Sequence, residues 1–331
     1  MFCIRIVKEK ANGTIQALYR KNLIDNSRKI ENDGIFVYIP AMEKVRGFDY
    51  CAKKLKSREI KPKNLEEALK GFGIETKNVL SSFDLIGTIA VVEIPDGIAP
   101  KKVAKAIMEV HRGVKSVFQK KSGMKGKYRV RELKLIGGKK QGVASYVENG
   151  IRMEFDVEKV FFSPRLSNER KRISDLIKKG ENVLILFAGV GPFALCIAKS
   201  KPRTKVIGIE LNKEAVKWFR KNITINKLKN VEAVLGDVKR ELARKRYNGW
   251  ADRVIMPLPK DAEHFLSCAE KACRKGAIIH FYTFVDEGKA RKETIEKLRN
   301  NLKRKFRIKR LKQVRDFSPK IVQIVADVEV L

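Results

Sequence analysis

Apolar runs of strand length recur through the C-terminal half of the chain, each separated from the next by a stretch of mixed charge. They lie at 182–187 (NVLILF), 205–210 (KVIGIE), 231–237 (VEAVLGD), 252–258 (DRVIMPL) and 277–284 (AIIHFYTF), with helix-length segments between them. Such alternation predicts a mostly parallel sheet wrapped by helices. Two final runs, 306–314 (FRIKRLKQV) and 320–330 (KIVQIVADVEV), leave no room for a helix and predict an antiparallel hairpin at the sheet. The fold class is therefore α/β, a Rossmann-like domain whose sheet has seven strands.

The N-terminal half has a different rhythm. Strands are predicted at 2–7 (FCIRIV) and 34–40 (GIFVYIP), with a helix over 13–24 (GTIQALYRKNLI) between them. A polar linker leads into a strand pair over 83–95 (FDLIGTIAVVEIP) and an amphipathic helix over 99–113 (APKKVAKAIMEVHRG) with apolar residues at helical spacing. Two small α/β modules, 1–62 and 63–172, are thus expected to precede the main domain, 173–331.

Charge changes the picture most. Lys and Arg number 73 against 38 acidic residues, a net charge of +35. That excess is larger than solubility requires and points to a polyanionic partner, nucleic acid before a membrane surface. No run reaches the ~20 apolar residues of a spanning helix, and the N-terminus does not read as a signal peptide. A soluble, cytoplasmic protein is expected, acting as a monomer. Five cysteines and three histidines lack zinc-site spacing, so no metal is expected. The cysteines read as small buried hydrophobes, with Cys268 and Cys273 placed in one helix; a disulfide between two cysteines stays open for a hyperthermophilic source.

Candidate chemistry begins at 187–193 (FAGVGPF), where a strand turns through glycines into a helix. Gly189 and Gly191 are expected where backbone approaches a ligand, and Pro192 suits the helix's first turn. Glu210 ends the second strand about twenty residues on, the position from which a carboxylate accepts ribose hydroxyls. Asp237 ends the third. A third glycine is missing, so pyrophosphate fits poorly, and the pattern resembles S-adenosylmethionine binding in Rossmann-like methyltransferases. That resemblance puts the ribose on Glu210 and the adenine amino group on Asp237, with Phe187, Leu211 and Val238 alongside. The plainer alternative makes Glu210 and Asp237 exposed helix caps. Ile185 stands where such enzymes often carry Asp.

Three further stretches, 126–138 (GKYRVRELKLIGG), 159–173 (KVFFSPRLSNERKRI) and 252–266 (DRVIMPLPKDAEHFL), resemble the archaeal and eukaryotic tRNA (guanine-N1-)-methyltransferase family, which modifies the guanosine 3′ of the anticodon. The resemblance spans nearly the whole chain. It implies methyl transfer from S-adenosyl-L-methionine to N1 of that guanosine at position 37 of tRNA, a modification that supports the reading frame and feeds wyosine biosynthesis. Removing the N1 proton while charge gathers on O6 calls for a base and a cation. Glu169 matches the family's proton acceptor and Arg129 its O6 contact. On spacing alone, Glu169 reads as a helical partner of Arg172 or Arg165.

The same resemblance assigns Arg165 to a phosphate or the cofactor carboxylate, with a rim salt bridge as the alternative. Phe161 lines the methyl-donor pocket or simply packs. Pro257, Leu258, Pro259 and Lys260 flank the target base, Pro257 replacing an amide residue and offering no side-chain hydrogen bond. Tyr128 and Arg131 belong to a basic stretch suited to tracking an RNA backbone. Two other functions stay open: aminocarboxypropyl or methyl transfer to a tricyclic guanosine derivative in the wyosine pathway, and tRNA binding without catalysis.

Overall fold

The computed structural model describes residues 2–58, 62–75, 83–123, 126, 128 and 130–331; Arg129 lies outside them. The chain divides into two units, Met1–Ala68 and Leu69–Leu331.

In the first unit, β1 (Phe2–Val7) buries Cys3 and Ile4 and turns Arg5 to solvent. It leads directly into α1 (Lys8–Arg20). This helix begins five residues before the expected 13–24, because Ala11 and Leu18, seven apart on one face, are the residues it buries. Asn22 turns left-handed at φ 54° and ends it. Ile24 then joins the sheet by a bridge to Ala41. Short β2 (Glu31–Asn32), β3 (Phe36–Ala41) and β4 (Asp49–Cys51) complete an antiparallel sheet in the order β2-β3-β1-β4. α2 (Leu65–Gly71) spans the point where the second unit begins.

The second unit contains both remaining expected modules. β5 (Asp84–Ile86), β6 (Ile89–Val92), α3 (Pro100–Val110), β7 (Ser116–Lys120) and β8 (Leu133–Gly138) form a four-stranded sheet with a βαβ crossover through α3. Next comes the hairpin β9 (Val143–Glu148) and β10 (Ile151–Asp156), turned at Asn149–Gly150, both at positive φ, as a two-residue primed turn requires. Helix α4 (Ser167–Leu176) follows.

The expected boundary at 172/173 does not hold. Phe155 of β10 and Ile173 of α4 share one buried core with Val183 and Ile185, and Ile89 and Phe118 of the smaller sheet belong to it too. Continuous apolar contact leaves no seam. Arg170 ties α4 to β9 by donating to Glu148 at 2.6 Å, with both side chains buried.

From Asn182 the predicted alternation appears: β11 (Asn182–Leu186), α5 (Pro192–Ser200), β12 (Lys205–Glu210), α6 (Lys213–Ile225), β13 (Val231–Leu235), α7 (Val238–Leu242), β14 (Ala251–Met256), α8 (Leu266–Ala272), β15 (Cys273–Asp286) and α9 (Ala290–Asn301). The hairpin of β16 (Phe306–Ser318) and β17 (Ile321–Val330) closes the chain. Sheet order is β13-β12-β11-β14-β15-β17-β16, with β11 to β15 parallel and the last two antiparallel. Cys268 and Cys273 do not share a helix, since α8 ends at Ala272 and Cys273 opens β15. Among the described residues no helix is long and apolar enough to cross a membrane.

Candidate active site

The carboxyl ends of β11, β12 and β14 open onto one cavity of about 520 Å³, within the ~300–1,000 Å³ of small-molecule sites. Gly189, Glu210, Leu211, Asn212, Asp237 and Val238 line it where β11 to β13 end, and Pro257, Leu258, Pro259, Phe284 and Gln323 line it on the side of β14, β15 and β17, with Tyr128 also on its wall. Phe161 and Phe187 also line it.

Glu210 is not a helix cap. Asn212 caps α6 by accepting from Glu214 N at 3.0 Å, which releases Glu210 for another task. The carboxylate accepts from Gly189 N at 2.8 Å through Oε2 and from Asn212 N at 2.8 Å through Oε1. Burial raises its proton affinity, and these backbone bonds oppose that rise. Two backbone donors fix the carboxylate's plane and leave lone pairs for a ligand's hydroxyls. Asp237 does cap a helix, accepting from Arg240 N at 3.1 Å through Oδ1, and it lines the cavity as well. Asp237 is thus a half-buried helix cap at the cavity wall.

The two glycines separate. Gly189 has φ 58°, and a methyl group built on it would meet only Phe161 O at 3.9 Å, with the cavity otherwise open above it. Gly191, with φ 88°, does not line the cavity; a Cβ there would run into the ring of Phe219 on α6. The expectation that both approach a ligand is corrected for Gly191, which is glycine so that α6 can pack. Ile185 is fully buried inside the sheet and off the cavity wall.

Glu169 is 4% exposed and does not line the cavity. Leu166, one turn earlier, does. Arg172 donates to both carboxylate oxygens, at 2.7 and 2.8 Å, and Tyr282 OH donates to Oε1 at 2.6 Å. Arg172 also donates to Asp327 at 2.9 Å. Asp327 accepts from His280 Nδ1 at 2.6 Å, and His280 Nε2 faces Arg253 Nη1 at 2.9 Å. Arg253 in turn pairs with Glu181. A guanidinium only donates, so His280 is the neutral tautomer with its proton on Nδ1. Burial lowers its proton affinity, Asp327 opposing. For Asp327, the bonds from His280 and Arg172 outweigh the opposing effect of burial and hold the carboxyl low.

Arg165 is on the rim, its Nε 2.7 Å from Asp84. With Arg131 and Lys120 it lines an adjoining cleft of about 880 Å³ rather than the cavity. Burial, with Arg131 and Arg165 nearby, lowers the Lys120 pKa despite Asp84. Lys260 does not line the cavity. Sequence reasoning missed Asn212, legible afterwards as the Asn opening a helix two residues past Glu210, and Arg315 and Gln323, which carry no local signal. Among the described residues no group of three His, Cys, Asp or Glu side chains is placed to hold a metal.

Comparison with known proteins matches three stretches of the chain to family domains. Residues 144–310 match the TRM5/TYW2 methyltransferase domain, 65–141 the TYW2 N-terminal domain and 3–49 the tRNA methyltransferase 5 N-terminal domain. The tRNA (guanine(37)-N(1))-methyltransferase Trm5b of Pyrococcus abyssi is 38% identical over 93% of this chain and 92% of its own. A structure of aTrm5 in complex with tRNALeu aligns with a TM-score of 0.84 at 29% identity, covering 100% of both chains. Pyrococcus horikoshii TYW2 in complex with MeSAdo aligns at 0.66 and 26% identity, covering 81% of this chain and 98% of that one.

Proposed function

This chain belongs to the TRM5/TYW2 methyltransferase family, and from that premise we propose that it methylates N1 of the guanosine at position 37 of tRNA, with S-adenosyl-L-methionine as donor. The observation that carries the reading is the two-ended cavity: an acidic, glycine-floored end beside an aromatic and proline-walled end, both supplied by one chain. A cytoplasmic monomer suffices for that arrangement.

The fit to the cofactor rests on Glu210, whose carboxylate is pinned by Gly189 and Asn212 and turns its remaining lone pairs to the ribose hydroxyls. Asp237 accepts from the adenine amino group, and Leu211 and Val238 supply apolar walls. When bound, S-adenosylmethionine supplies a methyl group made electrophilic by its sulfonium. Chemistry on a paired or stacked base edge requires extrusion of the nucleotide. Tyr128 offers the extruded purine an aromatic face. Pro257 to Pro259 form a stiff wall, held by Phe284 N donating to Pro259 O at 3.1 Å.

Glu169 accepts the N1 proton in this proposal, which requires its carboxylate to exchange Arg172 and Tyr282 for the base. Glu169 lies one helical turn behind Leu166, which lines the cavity. Arg129, implied by family resemblance, supports O6. Arg131, Arg165 and Lys120 in the adjoining cleft, with Lys260 beside the wall, hold RNA phosphate.

The test uses an unmodified tRNA transcript and cofactor labelled either on the methyl or on the carboxyl group. Methyl label alone, lost when position 37 is changed to adenosine, is the expected result. Transfer of the carboxyl label alone means aminocarboxypropyl transfer, the methyl leaving on methylthioadenosine; no transfer of either label with retained tRNA binding means a binding protein. Pro257 and the match of residues 65–141 to the TYW2 N-terminal domain favour aminocarboxypropyl transfer, whereas Ile185 does not face the cavity.

A further inference from the structure

The base-facing end of the cavity contains an amide on a strand where no motif announced one. Gln323 of β17 is 1% exposed, yet it lines the cavity with Pro257, Pro259 and Phe284. Its Oε1 accepts from Arg315 Nε at 2.8 Å. Because a guanidinium has donors and no acceptor, the amide can be placed in one sense only, oxygen toward Arg315 and nitrogen away from it. Among the described residues nothing accepts from Gln323 Nε2, and this nitrogen is not one of the sealed polar atoms without a partner. Its outlet is the cavity.

We propose that Gln323 reads the target base: Nε2 donates a hydrogen bond to O6 of the guanine, and Arg315 is the positioning residue that stops the amide from flipping. The assignment rests on the methylation reading above. Guanine presents acceptors at O6 and N7, whereas adenine presents its N6 amino donor at the equivalent place. A donor locked in one orientation therefore pairs with guanine and meets adenine donor to donor. As the N1 proton leaves, negative charge gathers on O6 and the same bond strengthens. Pro257 offers no side-chain hydrogen bond, so the amide at this end of the cavity comes from Gln323 on the C-terminal hairpin.

Single-turnover methylation at saturating tRNA and cofactor tests this. Gln323→Leu is expected to lose roughly ten- to a hundredfold in rate on guanosine-37 transcript, with cofactor affinity by dialysis and the melting temperature close to wild type. Gln323→Glu keeps the contact with Arg315 but has no donor, and should lose as much. On a transcript carrying 6-thioguanosine, whose sulfur accepts hydrogen bonds poorly, the Gln323→Leu penalty should shrink to a few-fold. Arg315→Met should narrow the gap between guanosine-37 and adenosine-37 transcripts as competing inhibitors. A Gln323→Leu rate within about threefold of wild type on guanosine, or an equal penalty on both bases, overturns the assignment. Absence of any transfer by the wild-type chain overturns the activity and this assignment with it, whereas transfer that survives Gln323→Leu overturns the assignment alone.

Discussion

Arg172 grips Glu169 with two parallel hydrogen bonds, Nε to Oε2 at 2.8 Å and Nη2 to Oε1 at 2.7 Å. The pair is nearly sealed from solvent, with side chains 12% and 4% exposed. A carboxylate so held is a structural tie, and its proposed role as proton acceptor makes a different demand on a neutral isostere than the tie does.

Glu169→Gln should reduce single-turnover methyl transfer by at least about a hundredfold if the carboxylate takes the N1 proton, with cofactor affinity unchanged. Loss of the buried charge should also cost about 1–3 kcal/mol of stability, because Arg172 keeps Asp327 as its remaining partner. Denaturant melts alongside rapid-quench assays separate the effects. A rate that falls only with the folded fraction removes Glu169 from the chemistry.

The two turn glycines should respond in opposite ways to alanine. Gly191→Ala adds a methyl into the Phe219 ring at φ 88°, and is expected to destabilise the fold by about 2–4 kcal/mol. Gly189→Ala, strained at φ 58° but open above, should stay folded and bind S-adenosylmethionine roughly tenfold more weakly. Calorimetry of each variant with and without cofactor provides the comparison; equal loss of stability in both would contradict the division of roles.

Cofactor binding should weaken as the medium becomes acidic. Burial raises the Glu210 pKa, so in the free protein its protonated form appears at higher pH than for an ordinary carboxyl. Protonation removes an acceptor that the ribose hydroxyls need. Affinity is full above that raised pKa and declines as the pH falls through it. Glu210→Gln should bind about ten- to a hundredfold more weakly and show none of this dependence. Dialysis across the pH range measures it.

His280 predicts an acid sensitivity of the fold itself. Burial depresses its folded-state pKa, so below about pH 6.5 the unfolded chain binds a proton that the folded chain refuses. Stability is full above that pH and falls below it, by at most about 1.4 kcal/mol per pH unit, while Asp327 remains ionised. His280→Asn should flatten this slope below about pH 6.5. An unchanged slope in urea titrations would mean that other groups set it.

Legibility followed the range of the forces involved. Strand runs, the closing hairpin and the strand-terminal acids Glu210 and Asp237 could be read because period and chain neighbours determine them. The start of α1 could not, since Ala11 and Leu18 choose their face only against a sheet formed partly by residues more than fifteen positions later. Likewise, the boundary expected at 172/173 vanished into a core shared by Ile89, Phe155, Ile173 and Val183.

The amino-acid order alone determined the alternation that makes a parallel sheet, the turn through Gly189, the acid ending β12 and the positive charge suited to RNA. Each of these depends on spacing or composition. Tertiary structure alone decided that Gly191 serves Phe219, that Glu169 is buried against Arg172 and that Gln323 faces the cavity with its oxygen on Arg315. Those outcomes depend on which faces of distant elements meet, and a side chain's environment in a packed interior comes from partners the chain folds back to supply.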